Sequence, residues 1–186
     1  DFNSIEETSR ANEEFKAFFE LHIEQGPILI NNEKKIGIVT GIAAPERFIF
    51  KIIGKASHSG TTPMNMRRDA LLGASEIALA LEKAAIREQK NGTVATVGVL
   101  NIQSGAMNVI PGEVEMKVDI RSTSLESRKR VLNELQEVIA AVKQTRQLEI
   151  QSFEISSEEP VLLHADVIDS LTKICETKEL PYEVMP

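Results

Sequence analysis

The chain has 186 residues and is acidic, with 21 Lys and Arg residues against 28 Asp and Glu residues and a formal net charge of −7. No run of Lys and Arg forms a basic stripe, so nucleic acid and anionic membranes are not expected as partners. No apolar stretch approaches the roughly 20 residues that cross a bilayer, and the first residues have no signal-peptide pattern. Small molecules and other proteins remain as partners.

The composition is that of a globular protein, with 42% apolar and 26% charged residues. The single cysteine, Cys175, excludes an internal disulfide framework and favours the cytoplasm. The first residue is Asp1 rather than Met, so we expect the chain to begin inside a longer polypeptide or to follow processing.

The N-terminal region carries two local patterns. Ser9 is a candidate N-cap for a short helix that reaches Phe15. Residues 19–24 then alternate strictly between apolar and polar side chains, which predicts a strand. One face of this predicted strand is apolar, and the other carries His22 between two glutamates.

From residue 35 onwards, alternating or β-branched segments predict strands and apolar stripes predict amphipathic helices. The predicted elements are strands over 35–42 and 47–55, a helix over 67–89, strands over 93–103 and 113–121, a helix from Ser122 or Ser124 to Arg146, a strand over 148–156, a helix over 165–178 and an extended segment over 181–186. The order from residue 47 is β-α-β-β-α-β, which is that of the α+β, ferredoxin-like two-layer sandwich. Residues 1–42 and 160–186 flank this module, which suggests a domain inserted into another domain.

Two histidines are candidates for chemistry. His22 is either a divalent-metal ligand at the carboxyl end of its predicted strand or a surface histidine beside solvated acids. His58 lies in a loop of small hydroxyl residues and glycine, 57–63, that lets a ligand approach the backbone closely. Its imidazole either donates to a developing oxyanion or is incidental to a hydrogen-bonded turn.

Two further residues have both a functional and a structural interpretation. Asn108 lies in a turn between two predicted strands, where such a residue is common for structural reasons. Arg121 ends an alternating strand after Asp119 and either binds a substrate carboxylate bidentately or pairs with a local acid.

Four motifs then occur in order along the chain. They are His22-Ile23-Glu24-Gln25-Gly26-Pro27; Gly54-Lys55-Ala56-Ser57-His58-Ser59-Gly60-Thr61-Thr62-Pro63-Met64 with Arg67 and Asp69-Ala70; Asn108-Val109-Ile110-Pro111-Gly112; and Asp119-Ile120-Arg121. Together they resemble the motifs of the M20 metallopeptidase superfamily. Within it, the chain is similar to the branch of N-carbamoyl-L-amino-acid hydrolases, beta-ureidopropionases and allantoate amidohydrolases.

The resemblance implies a two-domain hydrolase of non-peptide C–N bonds. Its α/β catalytic domain would hold two divalent metal ions, Zn, Mn, Co or Ni, and an inserted lid domain would form a homodimer. On this basis residues 1–42 are a piece of the catalytic domain, 43–158 are the lid and dimerisation domain, and 159–186 return to the catalytic domain.

The resemblance also implies roles for five residues. His22 matches a metal ligand, and Gln25 a substrate-contacting residue beside it. His58, Asn108 and Arg121 match lid residues that bind a small substrate with a carboxylate, partly across the dimer interface. Arg121 would bind that carboxylate, and His58 would polarise the scissile carbonyl. These three groups are expected to converge on one bound anion.

The chain departs from the family pattern at both ends. The remaining metal ligands and the general-base glutamate of the family would lie upstream, and a final histidine ligand would lie downstream. We therefore expect the 186-residue chain by itself to lack the assembled metal pair and to be inactive. Two other functions stay open: a stand-alone ferredoxin-like module for ligand binding or oligomerisation, and an M20 peptidase or aminoacylase.

Overall fold

The computed structural model describes residues 9–10, 13–103 and 105–186. The chain divides into two compact units. One unit consists of the chain up to Ile38 together with His164–Val184, and the other consists of Val39–Leu163 with Met185–Pro186. The assignment of the flanks to a catalytic domain stays a prediction.

The helices and strands follow the predicted order closely. In chain order they are α1 (Ile28–Asn31), β1 (Ile36–Val39), β2 (Gly41–Ile42), β3 (Ala44–Ile53), β4 (Ser57–His58), α2 (Ala70–Glu88), β5 (Val94–Ile102), β6 (Val109–Ile110), β7 (Glu113–Ser122), α3 (Leu125–Thr145), β8 (Glu149–Ser157), β9 (Val161–Leu162), α4 (Ala165–Thr177) and β10 (Tyr182–Met185). Short 3-10 turns occupy Met64–Met66 and Gln89–Asn91. None of the helices in the described part of the chain is long and apolar enough to cross a membrane.

The larger unit contains a four-stranded sheet in the order β5-β7-β3-β8, in which all neighbouring strands are antiparallel. Helices α2 and α3 pack together and against this sheet. With the chain order β3-α2-β5-β7-α3-β8, this arrangement is the ferredoxin-like sandwich. The predicted α+β fold is therefore confirmed.

The core lies between the sheet and the two helices. Strand β7 alternates, so that its even-numbered residues from Val114 to Ile120 are buried while its odd-numbered residues lie on the opposite, more exposed face. The helices contribute small or branched side chains to the same core: Ala70, Ala74, Ile77, Leu81 and Ala84 from α2, and Val131, Leu135 and Val142 from α3. Alanine on α2 allows its backbone to lie close to the sheet.

Side-chain caps explain where both long helices begin. The Asp69 carboxylate accepts hydrogen bonds from the N–H groups of Leu71 and Leu72, so α2 begins at residue 70, three residues later than predicted. Ser124, one of the two predicted caps of α3, accepts from the Ser127 N–H. Both caps satisfy N–H groups that the helices cannot pair internally.

A polar network, buried at Thr93 and Ser127 and exposed at Arg130, joins the C-terminal end of α2 to the beginning of α3. The Ser127 hydroxyl donates to the Glu88 carboxylate at 2.8 Å and lies 2.5 Å from the hydroxyl of Thr93. The guanidinium of Arg130 donates twice to the Glu88 carboxylate and is the main cause of its pKa of about 2. The carboxylate thus stays ionised at every physiological pH and fixes the two helices together.

A buried ion pair joins α3 to the sheet. Arg128 Nε lies 2.9 Å from the carboxylate of Glu46, and the two residues are 5% and 8% exposed. Arg128 Nη1 also donates to the carbonyl oxygens of Ala44, at 3.3 Å, and Glu158, at 2.7 Å. These carbonyls lie where the chain enters β3 and where it leaves β8, so one guanidinium fixes both chain connections of the sandwich.

Two predicted N-terminal elements do not agree with the structure. The predicted strand over 19–24 is wrong: these residues form no strand and Phe19, Leu21 and Ile23 are exposed. A strand needs a partner for its backbone hydrogen bonds, and no strand of the described residues pairs with this segment. The helix predicted from Ser9 is not present at residues 13–15, and its residues 11 and 12 lie outside the described residues.

Gly54 is expected to be intolerant of a side chain. Lys55 N–H donates to the Arg68 carbonyl at 2.8 Å, and a Cβ on Gly54 would overlap that same oxygen. Gly54→Ala should therefore lower the free energy of unfolding by about 1–3 kcal/mol, the usual cost of overpacking. Gly98→Ala is the matched control, because a Cβ there meets no atom within 4 Å. Urea unfolding of both variants measures the difference, and equal stabilities would contradict the close approach.

Candidate functional site

His58 and Asn108 are brought together by a small two-stranded ladder. Strand β4 pairs with β6 in a register that sets His58 opposite Val109. The Ser59 N–H donates to the Asn108 carbonyl at 2.9 Å, which continues the pairing past the end of both strands. Both His58 and Asn108 are exposed. The backbones of His58 and Asn108 therefore lie at neighbouring positions of one ladder. That the two side chains bind one ligand stays a prediction.

The His58 ring is fixed by its own loop. The Gly60 N–H donates to Nδ1 of His58 at 3.0 Å, so the neutral ring carries its proton on Nε2. The Thr62 N–H donates to the His58 carbonyl at 3.1 Å and closes the turn. A Cβ at Gly60 would lie 3.2 Å from Cε1 of the ring, so a glycine lets the ring lie over the loop. The result is an exposed N–H donor, which is the group that stabilises a developing oxyanion.

Arg121 is held by a neighbouring carboxylate on the exposed face of β7. Its Nε and Nη2 donate to the two carboxylate oxygens of Asp119, each at 3.0 Å. Arg47, across the strand pair, donates to the same carboxylate at 3.1 Å. The Arg121 guanidinium is the main cause of the lowered pKa of Asp119, with Arg47 adding to it. One carboxylate thus orients two guanidinium groups, and the pair of arginines keeps a net positive charge.

Arg121 and His58 lie at opposite ends of the sheet. Asn108 lies just before the start of β7, whereas Arg121 lies near its end. The eight residue-to-residue steps from Glu113 to Arg121 span about 26 Å at the rise of an extended strand. The predicted convergence of Arg121 with His58 and Asn108 is therefore not made within one chain.

The residues around His22 belong to the smaller unit and form a separate group. His22 is exposed, and its Nδ1 lies 2.5 Å from the Ile23 carbonyl, so an Nδ1–H donated there leaves Nε2 free as a ligand. The Glu24 carboxylate instead accepts hydrogen bonds from the N–H groups of Ile28 and Leu29, at 2.6 and 3.1 Å. Gln25 has a left-handed backbone, with φ of 55°.

A two-metal centre does not fit the residues that the structure describes. Within residues 9–10, 13–103 and 105–186, no group of three or more His, Cys, Asp or Glu side chains could hold a metal ion. His22 therefore stays a predicted single ligand, and its role is an inference from the resemblance alone.

Asp119 pairs with Arg121, which is the local-acid alternative that the sequence left open, and their i, i+2 spacing on one strand face makes this pairing possible. This pair does not test whether Arg121 also binds a substrate carboxylate. Arg67, which belongs to the second motif, donates to two carbonyls of the His58 loop. The motif did not indicate that contact.

Comparison with protein families identifies the fold. A family model described as the peptidase dimerisation domain of the M20 group matches residues 47–146. The chain belongs to the M20 peptidase dimerisation-domain family. The resemblance predicted from the four motifs is confirmed. Enzymes that carry this M20 dimerisation domain are generally metal-dependent.

Relatives with the M20 dimerisation domain include two curated proteins. An uncharacterized hydrolase of Haemophilus influenzae is 48% identical over 100% of this chain and 45% of its own length. An N-carbamoyl-L-amino-acid amidohydrolase of a Pseudomonas species is 40% identical over 90% of this chain and 40% of its own length. The chain thus spans less than half the length of these relatives.

A solved structure shows the same fold. The crystal structure of an amidase of the hydantoinase/carbamoylase family from Burkholderia multivorans matches with a TM-score of 0.85 and 31% identity, over 88% of this chain and 39% of that one. The chain therefore shares its fold with an amidase of the hydantoinase/carbamoylase family.

Proposed function

We propose that this chain is the substrate-binding and dimerisation part of a cytoplasmic, metal-dependent amidohydrolase. The enzyme would cleave the carbamoyl or ureido C–N bond of an N-carbamoyl amino acid or of allantoate. The observation that carries this proposal is the exposed Nε2–H of His58 beside Asn108, together with a pre-oriented Arg121. An N–H donor and a carboxamide suit a carbonyl oxygen, and a guanidinium suits a carboxylate.

The separation of these groups within one chain supports a site shared between two chains. About 26 Å is longer than a carbamoyl amino acid, so one substrate cannot contact Arg121 and His58 of the same chain. A second copy would supply His58 and Asn108 to the Arg121 of the first. A homodimer then contains two equivalent sites, each assembled from both subunits.

An apolar face at one side of the sandwich supports dimerisation. Leu72, Leu79 and Ile86 on α2 are 44%, 57% and 60% exposed, and their spacing of seven residues sets them on one helix face. Helix α2 packs against β5, which lies at an edge of the sheet. An unpaired strand edge beside an apolar helix face is a surface that a second copy covers well.

Leu79→Glu is expected to convert the dimer into monomers. A charge in the centre of the apolar helix face would be buried without a partner in the dimer and solvated in the monomer. Sedimentation equilibrium of the 186-residue chain should show at least a tenfold weaker association for this variant, since burying an unpaired charge costs more than 1.4 kcal/mol. Ile174→Glu on α4, also exposed, is the control and should leave association unchanged. A wild-type chain that is monomeric at high concentration would contradict the proposed interface.

In the proposed reaction, the residues of this chain bind the substrate and stabilise the negative charge that develops on its carbonyl oxygen. Arg121, held by Asp119, binds the substrate carboxylate and sets its position. His58 and Asn108 then donate hydrogen bonds to the carbonyl oxygen as negative charge develops on it. We propose that the metal ions, among Zn, Mn, Co and Ni, and the general base belong to other parts of the enzyme, with His22 as one ligand.

Arg121→Ala is expected to raise KM far more than it lowers kcat. The lost contact is a charged hydrogen bond to a substrate group that does not react, so it contributes equally to substrate and transition state. Such bonds are worth about 1.5–3 kcal/mol, which corresponds to a KM roughly 10–150 times higher. Steady-state kinetics with a carboxylate-bearing substrate measure this change. Lys129→Ala removes an exposed cation on α3 and is the control. An unchanged KM for Arg121→Ala would show that Arg121 does not bind the substrate carboxylate.

The proposed activity is tested directly on the whole gene product that contains this chain. Release of ammonia from N-carbamoyl amino acids or allantoate, dependent on a divalent metal, is the expected result. Faster cleavage of dipeptides or acyl amino acids would favour an M20 peptidase or aminoacylase instead. Binding of these compounds without turnover would favour a ligand-binding module.

A further inference from the structure

Arg67 is placed to control the loop that carries His58. Its Nε donates to the Thr62 carbonyl at 3.1 Å, and its Nη2 donates to the Ser59 carbonyl at 2.6 Å. These carbonyls lie on either side of Gly60, the residue whose N–H binds the His58 ring. The half-buried Arg67 side chain therefore connects the Ser59 and Thr62 carbonyls of the loop.

The backbone that follows Arg67 is fixed by hydrogen bonds. The next residue, Arg68, accepts a backbone hydrogen bond from Lys55, which lies two residues after the end of β3. Asp69 follows and caps α2. The backbone next to Arg67 is thus held by Lys55 and by the start of α2. The Arg67 side chain can therefore hold the loop in a fixed position relative to these elements.

The loop has few other restraints. His58, Gly60 and Thr61 are exposed, so apolar packing contributes little to its conformation. Its backbone bonds are those from Ser59 to Asn108 and from Thr62 to His58. Without the guanidinium, the Ser59 and Thr62 carbonyls lose their side-chain donor, and the position of the Gly60 N–H against the His58 ring is no longer held.

We propose that Arg67 is a positioning residue that keeps His58 in the Nε2–H tautomer by holding the 59–62 backbone. The ring nitrogen that carries the proton depends on the hydrogen bond made by the other nitrogen, which here is the bond from Gly60. Arg67 acts on that bond through the loop and does not touch the substrate. Its effect on catalysis rests on the proposed function, whereas its effect on the tautomer does not.

The geometry calls for arginine in particular. A guanidinium presents its N–H donors in a planar fork, so Nε and Nη2 can serve two carbonyls in one orientation. A lysine ammonium at the same position is a point charge on a flexible stem and cannot hold both carbonyls in the same way. The conservative variant should therefore restore the loop only in part.

The tautomer is measurable in the 186-residue chain without any activity. At about pH 8, where an imidazole is ordinarily neutral, the ¹⁵N shifts of His58 in the wild type should show a protonated Nε2 and an unprotonated Nδ1. In Arg67→Gln both shifts should move toward the average of free imidazole, and hydrogen exchange at the Gly60 amide should accelerate about tenfold, as expected for the loss of one net hydrogen bond.

Two variants control this measurement. Arg68→Gln removes an adjacent, exposed cation and should leave the His58 shifts unchanged. Arg67→Lys keeps the charge and should give ¹⁵N shifts between those of the wild type and of Arg67→Gln. If Arg67→Gln does not fold, the shifts of Arg67→Lys are compared with those of the wild type instead. Wild-type shifts and wild-type Gly60 exchange in both folded Arg67 variants would overturn the proposal.

Kinetics of the whole enzyme separate this proposal from the proposed function. Arg67→Gln should lower kcat with little change in KM, and it should add no further loss when His58 is already Ala. Absence of turnover in the wild type would contradict the proposed function while the NMR result still decides the role of Arg67. A full additive loss in the double variant would show that Arg67 acts independently of His58 and would overturn the positioning role.

Discussion

His58→Ala is expected to lower kcat of the whole enzyme by roughly a hundredfold or more, with KM nearly unchanged. The reason is the exposed Nε2–H, which the Gly60 N–H fixes by occupying Nδ1. A donor aimed at an oxyanion contributes mainly in the transition state, and removal of one such donor costs on the order of a hundredfold in kcat. Steady-state kinetics with an N-carbamoyl amino acid measure both constants.

A second histidine provides the control for this prediction. His164 is exposed and accepts a hydrogen bond from the Asp166 N–H at the start of α4. His164→Ala should retain wild-type kcat. If His58→Ala instead raises KM and leaves kcat unchanged, the residue binds the ground state and the oxyanion role is wrong.

Arg128→Ala is expected to destabilise the sandwich by about 3–5 kcal/mol, the cost of leaving one member of a buried ion pair without its partner. Glu46 would lose its counter-charge, and the carbonyls of Ala44 and Glu158 would lose a donor. Both carbonyls lie at the chain connections of the sandwich, so the loss acts where the sheet begins and ends. Urea unfolding at neutral pH measures the effect.

The effect of Arg128→Ala should depend on pH. Burial raises the pKa of Glu46 above its usual value of 4.5, and Arg128 opposes this rise. Removal of Arg128 therefore raises the folded-state pKa further. A group whose folded-state pKa is raised contributes stability at low pH that is lost as the pH rises through that pKa. The difference between Arg128→Ala and the wild type should thus be smallest below about pH 4.5 and should grow toward neutral pH.

Glu46→Gln distinguishes the charge from the hydrogen bonds. This variant keeps Arg128 and its two bonds to carbonyl oxygens but removes the titrating carboxylate. Because the folded-state pKa of Glu46 is raised in the wild type, the loss of stability in Glu46→Gln should be largest below about pH 4.5 and should decrease as the pH rises, opposite to the trend for Arg128→Ala. A loss for Arg128→Ala that is small, or that is equal at pH 4 and pH 7, would contradict the assignment of a buried, partnered charge.

The sequence is sufficient to predict the sandwich because each element carries its own periodicity. Val114, Met116 and Val118 alternate along β7, and the apolar stripe of α3 repeats at three and four residues. Polar residues that cap helices, Asp69 and Ser124, are local signals as well. Bounds are less exact than element types. The helix predicted from residue 67 begins at Ala70, the strand predicted over 47–55 spans Ala44–Ile53, and the strand predicted over 35–42 is divided into β1 and β2.

Other features depend on contacts that local patterns do not contain. The alternation over 19–24 indicates which side chains of a strand would share a face, but it does not show whether another strand pairs with the segment. The predicted strand was wrong. Arg128 lies on the apolar stripe of α3, three residues before Val131, which is a signal for a buried cation. Its partner Glu46 is distant in the sequence, and no local pattern identifies it.

The motifs name candidate site residues but do not give their arrangement, and the roles of these residues stay predictions. The motifs point to His58, Asn108 and Arg121, and the ladder of β4 and β6 explains why the first two are neighbours. The distance of Arg121 follows from the length of β7 and its direction in the sheet, which the motifs do not specify. The proposed site shared between two subunits would reconcile these positions.

Mixing two impaired variants of the whole enzyme, assayed at a substrate concentration well below the wild-type KM, tests the shared site most directly. At that concentration the raised KM of Arg121→Ala and the lowered kcat of His58→Ala both reduce the rate. In a heterodimer of His58→Ala and Arg121→Ala chains, one site combines both defects and the other has neither. Random exchange of subunits should therefore restore about a quarter of the wild-type activity, since half of the dimers are mixed and each has one intact site of two. If the mixture after exchange is no more active than the mean of its two components, His58 and Arg121 act within the same chain and the proposed shared site is wrong.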